Sequence, residues 1–372
     1  MLAHCTRVLA GLDIIPPFLG PKEIERRRGR PYKARLGLNE CLFGFPPAAL
    51  KVLVEHGHES ALYNDPTHRE LRDALASVWR RPPAHLVVAE GIEGLLGLFV
   101  RACVDVNDVA ITSRGGYPSF DFYVQGCGGR LVHVPYLPSG SNNLEGLAAA
   151  ARRSDAKLLY LANPDNPTAG VLPPSEIEAL IERLPPGCLL LLDEAYAEFA
   201  AADCLLPSEA SWPNLVRLRT FSKLYGLAGA RVGYALADPA LVEALDRIRQ
   251  HFAVSKLSQE MALAALFDHA FVAEVLARTA EGREHYRALA EGIGITTLPS
   301  AANFVAFDFG DARHAKAVAD WLEEHDVFVR RPTDEPLDRL IRITVGPPEA
   351  RAYLAEVLLA APARDEALPG TL

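Results

Sequence analysis

The chain has 372 residues, 49% of them hydrophobic and 23% charged, with a formal net charge of −9. That length is more than one core of ordinary size organises, so two packed units are expected. The acidic balance gives no electrostatic footprint for nucleic acid, and no apolar run reaches the length of a membrane span.

Taken in chain order, residues 1–35 read as an N-terminal arm. They carry prolines and the basic run Arg26-Arg27-Arg28-Gly29-Arg30, which reads as a solvated or subunit-contacting face. The first eleven residues lack the apolar core and cleavage site of a secretory signal. His56 and His58 read as a solvated turn rather than metal ligands. Residues 66–80 predict a helix: Asp65 can cap it, Pro66 suits its first turn, and Leu71, Ala74, Leu75, Val78 and Trp79 share a face. Similar helices are expected at 93–102 and 174–184. Short strands are expected at 86–89, 109–112, 131–135, 158–162, 189–192, 215–220 and 232–237. Their apolar runs are mostly continuous, the pattern of a parallel sheet covered on both faces. Strands alternating with helices predict an α/β/α architecture with a mainly parallel central sheet.

After about residue 240 the texture changes. Helical patterns at 241–249, 259–292 and 312–325 mix with short strands at 295–298, 303–309, 327–330 and 340–345, an α+β arrangement. The expected division is an arm over 1–35, a large domain over 36–245 and a small C-terminal domain over 246–372. Residues 362–372 read as a frayed tail. The six cysteines form no CxxC pair and no zinc-ligand spacing, as for reduced thiols of a cytoplasmic protein.

The chemistry concentrates in Thr220-Phe221-Ser222-Lys223-Leu224-Tyr225-Gly226-Leu227-Ala228-Gly229-Ala230-Arg231. The chain holds only seven lysines against 31 arginines, so a lysine here stands out. A lysine amine condenses with an aldehyde, which arginine cannot do. Ser222 and Arg231 beside it suit a phosphate. An aldehyde bearing a phosphate is pyridoxal 5'-phosphate (PLP). Other strand ends offer what that cofactor needs, since ligands of parallel sheets sit outside the carboxyl ends of strands. Asp193 follows a run of leucines, where a carboxylate calls for a charged partner such as a protonated pyridine nitrogen. Asn166 and Tyr196 can each hydrogen-bond the ring oxygen. Gly91, Ile92 and Glu93 open a helix whose free N–H groups can seat the phosphate. Tyr117 can lay its ring on the pyridine face.

The segments Asn163–Thr168, Asp193–Tyr196, Ser222-Lys223 and Arg231, with Leu340-Ile341-Arg342-Ile343-Thr344-Val345-Gly346, resemble the fold-type I PLP-dependent aminotransferases. Within them the chain is most similar to the histidinol-phosphate aminotransferase family, over about residues 36–359. The resemblance implies Lys223 as the residue bonded to the cofactor and Asp193 on the pyridine nitrogen. It implies Arg342 as the clamp for a substrate carboxylate, with Arg330 and Asn39 also at the substrate. It matches Tyr63 to a tyrosine that reaches the phosphate of the neighbouring subunit, hence a homodimer with shared sites. The partners it implies are a small-molecule amino donor and a 2-oxo acid acceptor, with neither nucleic acid nor membrane.

The chain departs from the family's usual pattern in Asn39-Glu40-Cys41-Leu42, in Ala169 after Asn166-Pro167-Thr168, and in Phe18, where a tyrosine is usual. These changes bear on the donor rather than the cofactor. Decarboxylation of the threonine-phosphate decarboxylase type and transamination of aromatic amino acids use the same apparatus and stay open. A nucleotide-dependent oxidoreductase would need a glycine-rich dinucleotide turn, which is missing. A regulatory protein on this fold would be expected to carry a DNA-binding segment ahead of residue 36.

Overall fold

The computed structural model describes residues 4–12 and 19–362; Phe18 and the tail beyond residue 362 lie outside them. Its strands are β1 (Ala34–Arg35), β2 (Leu86–Ala89), β3 (Val109–Ser113), β4 (Arg130–Val134), β5 (Leu158–Ala162), β6 (Leu189–Asp193), β7 (Leu215–Thr220), β8 (Gly233–Leu236), β9 (Thr296–Thr297), β10 (Phe304–Asp308), β11 (Val327–Phe328) and β12 (Leu340–Thr344). A seven-stranded sheet runs in the order β2-β8-β7-β6-β5-β3-β4. Only β8 lies antiparallel to its neighbours. A mainly parallel sheet inside an α/β fold is therefore what the continuous apolar runs produce.

Both faces of that sheet are dry. Along β6, Leu190 and Leu192 join one apolar cluster and Leu191 joins another. Strand side chains alternate faces, so a run of leucines is the expected solution when each face meets helices. Fully burying one such leucine is worth about 1.5–3 kcal/mol. A second assembly follows: β12-β10-β9 form an antiparallel sheet. Its cluster takes in Tyr286, Phe307, Ile341 and Val345 together with Ala34 and Leu36 from near the N-terminus. β1 pairs with β11, which ties residues 34–35 to this C-terminal cluster.

Four expectations need correction. The helix predicted from residue 66 spans Arg69–Trp79. Asp65 ends the preceding turn instead, accepting from the amides of Thr67 (2.9 Å) and Arg69 (2.7 Å). The single helix predicted over 259–292 is two, Lys256–Leu266 and His269–Gly292, with Asp268 accepting from the Phe271 amide at the second start. The basic run is not merely solvated: it ends the helix Pro21–Arg28, and Arg28 and Arg30 both pair with Asp326. His56 closes the helix Pro47–His56, with Nδ1 2.8 Å from Glu260 rather than in a free turn. The Lys256 ammonium already bridges Glu260 and Glu59 there.

Candidate active site

One edge of the large sheet collects the ends that matter. The carboxyl ends of β2, β3, β5, β6 and β7 lead into residues 90–93, 114–118, 163–168, 194–196 and 221–223. Because β8 runs the other way, its entry brings Arg231 to the same edge. The edge opens on a cavity of about 840 Å³ lined by Asn39, Ile92, Glu93, Tyr117, Asn166, Asp193, Tyr196, Ser222, Lys223, Arg231, Arg330 and Arg342. That volume suits a cofactor with a small substrate.

Lys223 and Asp193 face opposite electrostatic demands. Burial, followed by the nearby Arg342 charge, lowers the Lys223 amine from 10.5 to about 8. Its Nζ finds only the Leu38 carbonyl, at 3.4 Å. Burial raises Asp193 from 3.8 to about 6, against the hydrogen bonds it accepts. Those come from the Tyr160 hydroxyl (2.6 Å) and the Ala195 amide (2.9 Å). Both donors are neutral, so the buried carboxylate keeps a demand for a cation.

The second group surrounds Arg342. Its Nη1 donates to Asn166 Oδ1 (2.6 Å) and its Nη2 to the Gly37 carbonyl (2.7 Å). Its Nε is buried without a partner. Arg330 bridges the Arg342 backbone in both directions and donates through Nη2 to the Leu19 carbonyl. Asn39 sits at φ 55 and donates through Nδ2 to the Tyr196 hydroxyl at 3.0 Å. Burial pushes that hydroxyl up to about 12, so it is a donor at neutral pH.

The third group is an anion seat. The helix Gly91–Cys103 begins without a side-chain cap, leaving first-turn N–H groups free. Arg231 Nη1 lies 3.4 Å from Ser222 Oγ, and Nη2 bonds the Glu90 carbonyl at 3.2 Å. Gly91 has φ +77, and a Cβ there would stand 2.6 Å from Arg231 Nη2. Only glycine lets the guanidinium lie on that turn. Tyr117 is largely buried at the cavity wall, which raises its hydroxyl well above the usual range.

Tyr63 is the expected site residue that is not brought to this cavity. It is 85% exposed and its ring packs 4.9 Å from Phe252. Several residues went unread in the sequence. Tyr160 is one; its signal was a tyrosine in an all-apolar strand, whose hydroxyl needs a partner. Asp165 is another: fully enclosed, it accepts from Tyr136 (2.9 Å), Asn142 (3.0 Å) and the Thr168 amide and hydroxyl. These bonds fix the turn that carries Asn166. Glu194, next to Asp193, takes a two-pronged grip from Arg217 at 2.9 Å on each prong. Arg219 joins it, and Trp79 lies against both guanidinium groups.

The residues fit PLP by observation. Among the described residues the buried carboxylate touches no cation, the depressed lysine amine has only a carbonyl partner, and an uncapped helix start lies beside an arginine with no room for a Cβ between them. The profile of the family described as aminotransferase class I and II matches residues 32–358. A histidinol-phosphate aminotransferase of Roseiflexus castenholzii is 36% identical, covering 94% of this chain and 96% of the relative. Another, of Symbiobacterium thermophilum, is 34% identical over 91% and 93%. The crystal structure of the Sinorhizobium meliloti histidinol-phosphate aminotransferase, in complex with pyridoxal-5'-phosphate, is 42% identical with a TM-score of 0.92, over 97% and 99% of the two chains. An aspartate aminotransferase variant of Thermus thermophilus, 22% identical with a TM-score of 0.79, shares the fold.

Proposed function

The chain belongs to the aminotransferase class I and II family and is an enzyme that transfers amino groups, and on that premise we propose that it holds PLP at Lys223 and takes a histidinol phosphate-like amino donor. The observation that carries the cofactor reading is a buried lysine amine with one long bond to a carbonyl and a buried carboxylate bonded by neutral donors, in one cavity. When bound, PLP supplies an aldehyde for the lysine and a cationic ring that draws electrons from the reacting carbon.

The chain's own residues do the rest. Asp193 would hold the proton on the ring nitrogen, its buried carboxylate facing that cation. Tyr196 and the free amide nitrogen of Asn166 donate to the ring oxygen. Ser222, Arg231 and the amides of Gly91, Ile92 and Glu93 seat the phosphate, while Tyr117 covers the ring. Arg342 presents a planar fork to an anionic group of the donor, with Arg330 and Asn39 beside it. Lys223, its amine lowered to about 8, would be the base that takes the α-proton of the donor. The acceptor of the amino group would be a 2-oxo acid.

The donor reading is supported by the relatives, which are histidinol-phosphate aminotransferases across nearly their full lengths. A homodimer is supported by the exposed apolar side chains of Leu50, Val54, Leu62, Tyr63 and Phe252, the last two with their rings packed together. In such a dimer Tyr63 serves the partner's phosphate seat. We further assign residues 36–245 and 246–372 to a large and a small domain, and the protein to the cytoplasm. The test of the donor is a screen of histidinol phosphate, aromatic amino acids and phosphothreonine, with keto product and CO₂ both measured. Turnover led by histidinol phosphate supports the reading; CO₂ from phosphothreonine would replace it with decarboxylation.

A further inference from the structure

Behind Asn39 stand two buried polar residues of the C-terminal assembly, Thr344 at the end of β12 and Asn303 just ahead of β10. The Thr344 backbone is fixed on both sides. Its amide donates to the Leu36 carbonyl (2.8 Å), and its carbonyl accepts from the Tyr286 hydroxyl (3.0 Å). Its Oγ1 accepts from the Asn39 backbone N–H at 2.9 Å and lies 3.2 Å from Asn39 Oδ1. Asn303 donates through Nδ2 to the carbonyls of Asn39 (3.0 Å) and Glu40 (3.3 Å). These bonds hold Asn39 at its positive φ, a conformation that asparagine tolerates better than most residues.

The directions of the bonds follow from what each group can give and take. A buried hydroxyl proton needs an acceptor, and Thr344 is 1% exposed. The Asn39 backbone N–H can only donate, so Thr344 gives its proton to Asn39 Oδ1, the acceptor open to it among the described residues. With Oδ1 engaged there, the amide turns Nδ2 to Tyr196 and donates to its hydroxyl at 3.0 Å. The Tyr196 ring is kept in place by Phe304, edge-on at 5.2 Å, and Phe304 is the register partner of Thr344 across β10 and β12. Among the described residues the hydroxyl accepts from Asn39 and has no acceptor for its own proton. A phenolic proton lies near the ring plane and has two settings. The one left to it points away from Asn39, into the cavity that Tyr196 lines.

We propose that Thr344 is a positioning residue: its hydroxyl orients the Asn39 amide, and that amide turns the Tyr196 proton toward the place of the cofactor's ring oxygen. Thr344 meets no reacting atom and acts through two other side chains. Without its hydroxyl the Asn39 amide is free to turn over. Oδ1 then takes the Tyr196 proton, and the ring oxygen loses a donor.

The relay serves a ring oxygen only if the PLP reading holds, so one measurement is made without cofactor. In cofactor-free protein, amide hydrogen exchange at Asn39 should quicken about fivefold in Thr344→Val, the worth of one net hydrogen bond. Thr344→Ser, which keeps the hydroxyl, should exchange like wild type. In PLP-loaded protein, absorbance is followed from pH 5 to 10. A donor on the ring oxygen shares its negative charge and eases the proton off the lysine-bound nitrogen. Thr344→Val should therefore move the midpoint of the colour change up by about one pH unit, with Thr344→Ser at the wild-type midpoint. Thr344→Ala removes the same hydroxyl and takes the place of valine should that variant not fold. Wild-type exchange or a wild-type midpoint in the variant lacking the hydroxyl would overturn the proposal. So would a serine variant that behaves like valine, since packing rather than the hydroxyl would then be at work. A wild type with no PLP band would sink the cofactor reading and the proposal with it, an outcome seen before any variant is made.

Discussion

Replacing Asp193 with asparagine should stabilise the cofactor-free protein and cripple the loaded one. In the folded chain the Asp193 carboxyl titrates at about 6 instead of 3.8 because burial disfavours its charge. A raised carboxyl helps folding while protonated, and that help is lost as pH rises through the folded value. At 1.36 kcal/mol per unit, the charge costs the cofactor-free fold up to about 3 kcal/mol at pH 8 and about half that at pH 5. Asparagine carries no charge; its one oxygen can accept from the Ala195 amide, and its NH2 then donates to the Tyr160 hydroxyl, which reverses its role. Urea unfolding of cofactor-free Asp193→Asn should therefore show a gain at pH 8 that shrinks by pH 5. With PLP the sign reverses: removing one partner of a buried ion pair costs about 3–5 kcal/mol, about two to four decades in turnover. A cofactor-free variant less stable than wild type at pH 8 would refute the reasoning, because the Lys223 charge that favours the Asp193 carboxylate would then outweigh its burial.

Other perturbations follow from the same geometry. Arg342→Lys cannot reach both Asn166 and Gly37, and steady-state kinetics should show donor KM raised about tenfold or more. Gly91→Ala puts a Cβ onto Arg231 at a positive φ; fluorescence titration should show PLP affinity down about tenfold, and unfolding a loss of about 1 kcal/mol. Val54→Asp, at a position 76% exposed in the helix Pro47–His56, should shift the protein from dimer to monomer in sedimentation velocity.

The strands were legible because their apolar runs are short and bounded, and β6 needed no alternation to be recognised once both faces were taken as covered. Element ends were less so. Phe267 and Asp268 break the long C-terminal helix without a glycine or proline, so periodicity ran through them. Near the site, residues that carry their own chemical signal could be named from the chain: an isolated lysine, a carboxylate after leucines, a glycine-opened helix. What stayed hidden depends on register across strands. Tyr160 meets Asp193 because β5 and β6 pair in parallel with Ala162 beside Asp193, and no local pattern announces it. Arg231 could be named from its segment, but that it reaches the seat because β8 runs backwards could not.

The covalent anchor is the claim on which the rest stands. Borohydride reduction of the PLP-loaded protein, followed by peptide mapping, should leave a pyridoxyl adduct on Lys223 alone, and none in Lys223→Ala. An adduct on any of the other six lysines, or none at all in the wild type, would contradict the account.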